Sequence, residues 1–166
     1  MKLSSIGMAA LLSVVVLFGG VTTSSIAESK KESKKTISKK AIEEGIEHQE
    51  KGNKLDDEGD LNGAIAEYNQ SLHFNPDDPN TLFNLGVVYM KANNSPKAVK
   101  VFEKLSKLLP EDSEVCNLMG VALSGAGKKL EAIKSWEKSL SLQPDQEKVK
   151  EMIAELKKTC AEEEKK

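Results

Sequence analysis

The sequence predicts an all-α protein: a solenoid of three stacked helical hairpins closed by a seventh helix. Three observations predict it. Four columns recur every 34 residues: Gly52, Gly86 and Gly120; Ala64, Ala98 and Ala132; Tyr68, Phe102 and Trp136; Pro76, Pro110 and Pro144. A fixed period of this size marks stacked supersecondary units. Within each period the apolar residues fall at helical spacing, as Leu82, Leu85, Gly86 and Tyr89 do. The 166-residue chain is also rich in Lys, Glu, Leu and Ala and poor in aromatics (4%), which favours helices.

Charge narrows the function. The net charge is −2, yet residues 28–40 hold six lysines against two glutamates (+4), while residues 41–166 hold seventeen lysines against twenty-four acidic residues (−7). The chain has no arginine, the usual bidentate fork for phosphate. An acidic body without arginine argues against nucleic acid as a partner.

In chain order, residues 1–27 read as a secretory signal peptide. Lys2 gives a positive start, the apolar core runs from Ile6 to Val21, and Ser25-Ile26-Ala27 offers small side chains for cleavage after Ala27. The expected location is therefore the periplasm or an equivalent extracytoplasmic compartment. Lys30, Lys31, Lys34 and Lys35 follow the apolar core closely, against the usual retention of positive charge on the cytoplasmic side, so an uncleaved membrane anchor is the alternative. Membrane contact is expected only in that second case. The Lys-rich segment 28–40 reads as a solvated linker.

The repeats are 45–78, 79–112 and 113–146, each expected as two amphipathic helices joined by a polar turn. In the second, Asp78 caps a helix opened by Pro79; Ala92-Asn93-Asn94 breaks the pattern; Ser95-Pro96 opens the partner helix, whose expected face is Ala98, Val99, Phe102, Leu105 and Leu108; and Pro110 stops it. The columns Ile65, Val99, Ile133 and Phe74, Leu108, Leu142 are also expected in the core. The rings are expected to fill space between neighbouring units.

This lattice resembles the tetratricopeptide repeat family: bulky residue, Leu-Gly and Tyr on the first helix, then Ala, an aromatic and a small residue on the second, then Pro. The second unit matches with Leu82, Leu85-Gly86, Tyr89, Ala98, Phe102 and Pro110, with Leu105 at the small position. The third matches with Cys116, Met119-Gly120, Leu123, Ala132, Trp136, Ser139 and Pro144. The first has His48 and Lys51 where bulky apolar residues are usual, so its first helix reads as a polar cap. The resemblance implies a right-handed α-solenoid whose task is binding protein. A capping helix is expected at 145–160, with Met152, Ile153 and Leu156 covering the third unit and Glu151 and Glu155 facing water, followed by a frayed charged tail at 161–166. The repeat domain as a whole is expected at 41–160.

Residues with catalytic potential are few. His48 and His73 are isolated, the two cysteines are separated, and no zinc set or phosphate loop forms. No catalytic residue, metal or cofactor is expected. Cys116, near the start of its helix, and Cys160, at the far end of a parallel one, are too distant for a disulfide.

The resemblance implies a working surface on the inner face, lined by the first helix of each unit: Gln49 and Asn53; Asn80, Phe83, Asn84, Val87 and Met90; Asn117 and Val121. Asp56 and Asp57 add charge at the first unit; Glu114, Leu118 and Ser124 continue the third. Phe83, Val87 and Met90 make a second apolar stripe on a helix whose other face is committed to the core, and are expected to anchor a peptide segment or helix, with Asn53, Asn84 and Asn117 bonding its backbone. Some family members clamp a chaperone's C-terminal carboxylate; Asn53 and Asn84 match that pattern, but Gln49, Glu114 and Leu118 replace the cations. The sequence therefore reads as a non-enzymatic adaptor that organises an exported complex, with self-association open, or alternatively as a membrane-tethered assembly factor. Mass spectrometry of the mature chain is expected to find Glu28 at its start; a chain beginning at Met1 would sink the cleavage reading.

Overall fold

The computed structural model describes residues 23–163, with side chains from residue 39. The chain divides into two units, residues 1–40 and 41–166. Among the described residues seven helices follow in order: α1 (Thr23–Asp57), α2 (Leu61–Phe74), α3 (Pro79–Lys91), α4 (Ser95–Leu108), α5 (Ser113–Gly125), α6 (Lys129–Leu142) and α7 (Glu147–Glu163). No strand occurs among the described residues. The signal-peptide core, residues 6–21, lies outside the described residues, and so do 164–166 of the expected tail; residues 161–163 continue α7. Segment 28–40, expected as an irregular linker, is helical within α1. Its Lys and Glu are good helix formers, and no Gly or Pro interrupts residues 23–44.

In the repeat unit each helix packs on the next in sequence, from α2 through α7, and α3 also meets α5. Helices α1/α2, α3/α4 and α5/α6 are the three hairpins. Their boundaries follow local chemistry. Asp78 Oδ2 accepts from Thr81 N at 2.7 Å, and Pro79 starts α3. Asp60 and Asp112 cap α2 and α5 in the same way. At α4 the cap is Asn94, one residue before the expected Ser95, because it is the Asn94 side chain that reaches Lys97 N. Each turn inside a hairpin contains a left-handed residue at the same place in the period: Gly59 (φ 82°), Asn93 (φ 55°) and Gly127 (φ 77°). Gly and Asn are the residues that adopt this conformation at least cost.

The three rings form the centre of the core. Tyr68, Phe102 and Trp136 are at most 3% exposed. Each lies against the glycine of its own hairpin, whereas the sequence reading placed the rings between units. A Cβ built on Gly52 would stand 2.7 Å from the Tyr68 ring, on Gly86 2.6 Å from Phe102, and on Gly120 2.4 Å from Trp136. Ala64, Ala98 and Ala132 are fully buried beside them. Leu82, Leu85, Val88, Val99, Leu105, Val115, Leu123 and Ile133 complete a continuous core that Val149 and Ile153 of α7 extend. The small position of the second helix makes polar bonds where it is serine: Ser71 Oγ lies 3.1 Å from Thr81 Oγ1, and Ser139 Oγ donates to Ser113 O at 2.7 Å. Leu105 fills that position with carbon instead.

One expected core column does not hold. Phe74 is half-buried, and Leu108 and Leu142 are each 38% exposed. They sit at the last turn of the second helices, where the chain turns away at Pro76, Pro110 and Pro144; Phe74 is partly covered by the His48 ring of α1. The capping helix starts at Glu147, two residues after the expected Asp145, because Gln146 is occupied in the loop: its Nε2 donates to Ser139 O and Gln143 O.

Gly120→Ala is expected to destabilise the protein by about 1–3 kcal/mol, the usual range for overpacking, despite the gain in helix propensity. Gly59→Ala, with nothing within 4 Å, meets only backbone strain and is expected to cost about 1–2 kcal/mol. Urea unfolding of both checks the contrast; an unaffected Gly120→Ala would show that the ring has room to move.

Candidate functional site: the surface of the first helices

Positions five and nine of the 34-residue period lie one helical turn apart. On successive first helices they are Gln49 and Asn53 (α1), Phe83 and Val87 (α3), and Asn117 and Val121 (α5). Helix α7 continues the register: Val115, Leu118, Met119 and Gly120 of α5 correspond to Val149, Met152, Ile153 and Ala154. It stands in the register of a first helix, and its positions five and nine are Glu151 and Glu155. The sequence reading treated these two as solvated; carrying the period one step further would have placed them on this surface.

At the α1/α3 end the polar residues bind one another. Asn53 Oδ1 accepts from Tyr68 OH at 2.8 Å and from Asn84 Nδ2 at 2.9 Å. Gln49 Nε2 donates to the capping carboxylate of Asp78 at 3.2 Å. Lys91 Nζ reaches both carboxylate oxygens of Asp56 at 2.8 Å. Asn53 and Asn84 therefore tie α1, α2 and α3 together, which leaves Asn53 Nδ2 and Asn84 Oδ1 as the groups to offer a partner. The acidic character expected here from Asp56 and Asp57 is halved by Lys91, while Asp57 stays exposed. Burial, with Asp56 and Asp57 as further causes, pushes the Tyr68 phenol up to about 12.

His48 takes an unforeseen role beside this end. Its ring stacks on Phe74 with centroids 5.7 Å apart and planes 11° apart, and Nδ1 lies 2.7 Å from Glu67 Oε2. It fills the bulky-residue position with a flat, polar-edged ring. Lys51, the other departure, is exposed and pairs with Glu47.

The middle is apolar. Phe83, Val87 and Met90 are half-buried and pack on the core, as Leu118 does. The stripe is thus shared between the core and the surface. Asn80 is exposed in the first turn of α3. Asn117 is half-buried; its backbone oxygen accepts from Trp136 Nε1 at 3.1 Å, and its Oδ1 is buried without a hydrogen-bond partner. Towards α7 the surface opens into a hollow of about 580 Å³, floored by Val121, Trp136, Met152 and Leu156 and bordered by Glu151 and Glu155. Val121 is 38% exposed, and neither glutamate has an ion-pair partner among the described residues.

No group of three or more metal-ligating side chains occurs among the described residues. Cys116 is buried, which pushes its thiol up, and Cys160 is half-buried on α7; both are free thiols. His73 is exposed on α2. No described helix is long and apolar enough to cross a membrane.

A family model described as "TPR repeat" matches residues 52–93, and one described as "Tetratricopeptide repeat" matches 79–112 and 113–146. Together they run through more than half of the chain. The chain belongs to the tetratricopeptide repeat family. No curated protein matches it. Its fold is shared with several solved repeat domains. The C-terminal repeat domain of a Plasmodium falciparum FK506-binding protein has a TM-score of 0.70 at 22% identity, covering 78% of this chain and 96% of that one. MamA has a TM-score of 0.69 at 24% identity, covering 74% and 67%. The first repeat domain of Spaghetti (RPAP3), solved with an HSP90 peptide, has a TM-score of 0.67 at 22% identity, covering 72% and 95%. At these identities the likeness is one of fold.

The phenol of Tyr68 supplies a pH test of the repeat body. Its folded-state pKa is above the usual value near 10, so the folded state holds a proton that the unfolded state releases as pH rises from about 10 to about 12. Stability is expected to be intact below that window and to fall through it. Tyr68→Phe should flatten that fall and, having lost the bond to Asn53, be about 1 kcal/mol less stable at neutral pH. Denaturation curves across the alkaline range check this; equal slopes for the two proteins would refute it.

Proposed function

We propose that this tetratricopeptide repeat protein is an adaptor that holds other proteins, taking a peptide segment or a helix on the surface formed by α1, α3, α5 and α7. The observation that carries the reading is the unbroken run of position-five and position-nine residues across four parallel first helices, polar at α1, apolar at α3 and hollow beside α5. A surface of this kind, apolar and rimmed by polar groups, marks a site of protein contact. Phe83, Val87, Met90 and Val121 supply apolar contact; Asn53 Nδ2, Asn84 Oδ1 and the exposed Asn80 supply backbone bonding. Related folds are solved with peptides bound: the first domain of Spaghetti (RPAP3) with the HSP90 peptide SRMEEVD, and the second domain of human RPAP3 with the HSP70 peptide SGPTIEEVD. Those peptides end in acidic residues. This chain places Gln49, Glu114 and Leu118 where a carboxylate clamp has cations, so its cargo differs from theirs.

The apolar core 6–21 and the Ser25-Ile26-Ala27 motif support an exported adaptor that organises a complex outside the cytoplasm. Catalysis forms no part of the proposal.

Val121→Asp combined with Phe83→Ser is expected to reduce capture of partners from the native envelope fraction at least roughly tenfold, as loss of central apolar contacts does. Helical circular dichroism should be kept, with a melting temperature a few degrees lower because Phe83 touches the core. Undiminished capture by a folded variant would place the binding surface elsewhere.

A further inference from the structure

We infer that the α5/α7 end of the binding surface selects a basic amphipathic segment of a partner protein: an apolar side chain followed by two lysines or arginines. This deepens the adaptor reading and rests on it.

The chemistry of the hollow specifies the occupant. The hollow is lined by the carbon of Val121, Trp136, Met152 and Leu156, with Ser124 and Gly125 beside them, and at about 580 Å³ it is open enough to receive one large apolar side chain. Its border is acidic. Glu151 and Glu155 are exposed, four residues apart on α7, and so lie on one face about 5–6 Å apart. Neither has an ion-pair partner among the described residues, although lysines are abundant and pair with Glu47, Asp56, Asp77, Glu131, Glu137, Glu147 and Glu163. The contrast within the surface is sharp. At the α1 end Lys91 pairs with Asp56 and leaves only Asp57 exposed beside it; at the α7 end both Glu151 and Glu155 lack an ion-pair partner among the described residues. Glu114, exposed in the first turn of α5, adds a further acid, and no cation occupies position five or nine of any first helix. A cationic segment therefore gains charge-assisted bonds at α7 and orients itself, cations to α7 and apolar side chain into the hollow. An acidic tail meets repulsion at the same place.

Three short labelled peptides test this: one of leucine, alanine and lysine, its twin with every lysine replaced by glutamine, and a twin with glutamate. Fluorescence anisotropy with the intact repeat protein is expected to show the lysine peptide binding roughly tenfold or more tighter than the glutamine twin, with the glutamate twin weakest. Glu151→Gln with Glu155→Gln should erase the lysine preference while leaving circular dichroism unchanged. Glu103→Gln with Glu111→Gln, on other exposed surface, should leave it intact; an equal loss there would show general attraction to an acidic protein and overturn the inference. Tightest binding by the glutamine or glutamate twin would overturn it too, while leaving the adaptor reading standing on the capture experiment. A dimer in sedimentation that Glu151→Gln and Glu155→Gln dissolve would make the hollow a self-association site, also against the inference. Binding by none of the three peptides would refute it, and joined to failed capture by the unaltered protein would remove the adaptor reading as well.

Discussion

Each hairpin depends on a flat ring lying on a bare stretch of helix. The glycine at residues 52, 86 and 120 removes the side chain that would hold the two helices apart, and the ring at 68, 102 and 136 fills the space so released. Everything else in the repeat unit is compatible with that contact. The fully buried alanines keep the second helix close, and the left-handed turn residue brings it back over the first. Because no hairpin buries its apolar surface alone, the contact also commits each unit to its neighbour, and stability accumulates along the stack.

The same constraint creates the surface that can work. When the ring side of every first helix is turned inward, its positions five and nine are presented on another side, in register from α1 to α7. The residues there need not be uniform, since the fold does not depend on them alone. They vary from amide to carbon to carboxylate along the stack, and that variation gives the surface a direction. The first unit spends its amides on internal bonding between α1, α2 and α3, which stiffens that end. At the α7 end Glu151 and Glu155 have no ion-pair partner among the described residues, although other charges of that helix are paired.

Much of this was legible in the sequence because the repeat is written in chemistry that cannot be exchanged freely. Gly, Ala, an aromatic and Pro each answer a steric demand, and their common period identifies helices, turns and family. What stayed hidden depended on side-chain reach. The bonds of Asn53 and Asn84 to each other, the stacking of His48 on Phe74 and the pairing of Lys91 with Asp56 join residues on different helices, and no local pattern encodes them. Leu108 and Leu142 look like core by spacing, but spacing does not report that the chain has run past its neighbour. Gln49, Asn53, Asn80, Phe83, Asn84, Val87, Met90, Asn117 and Val121 could be placed on one family of helices from the period alone; whether each faces inward or outward took coordinates. Glu151 and Glu155 were missed because α7 looks like an ordinary amphipathic cap until it is aligned with α5.

That alignment also marks a difference between α7 and the first helices before it. In α7 the position that is glycine in every complete hairpin is Ala154, which is exposed. The three hairpins each seat a ring on that bare position, where a Cβ would stand less than 3 Å from the ring. Helix α7 joins the core through Val149 and Ile153 and carries a methyl group where its predecessors offer a socket.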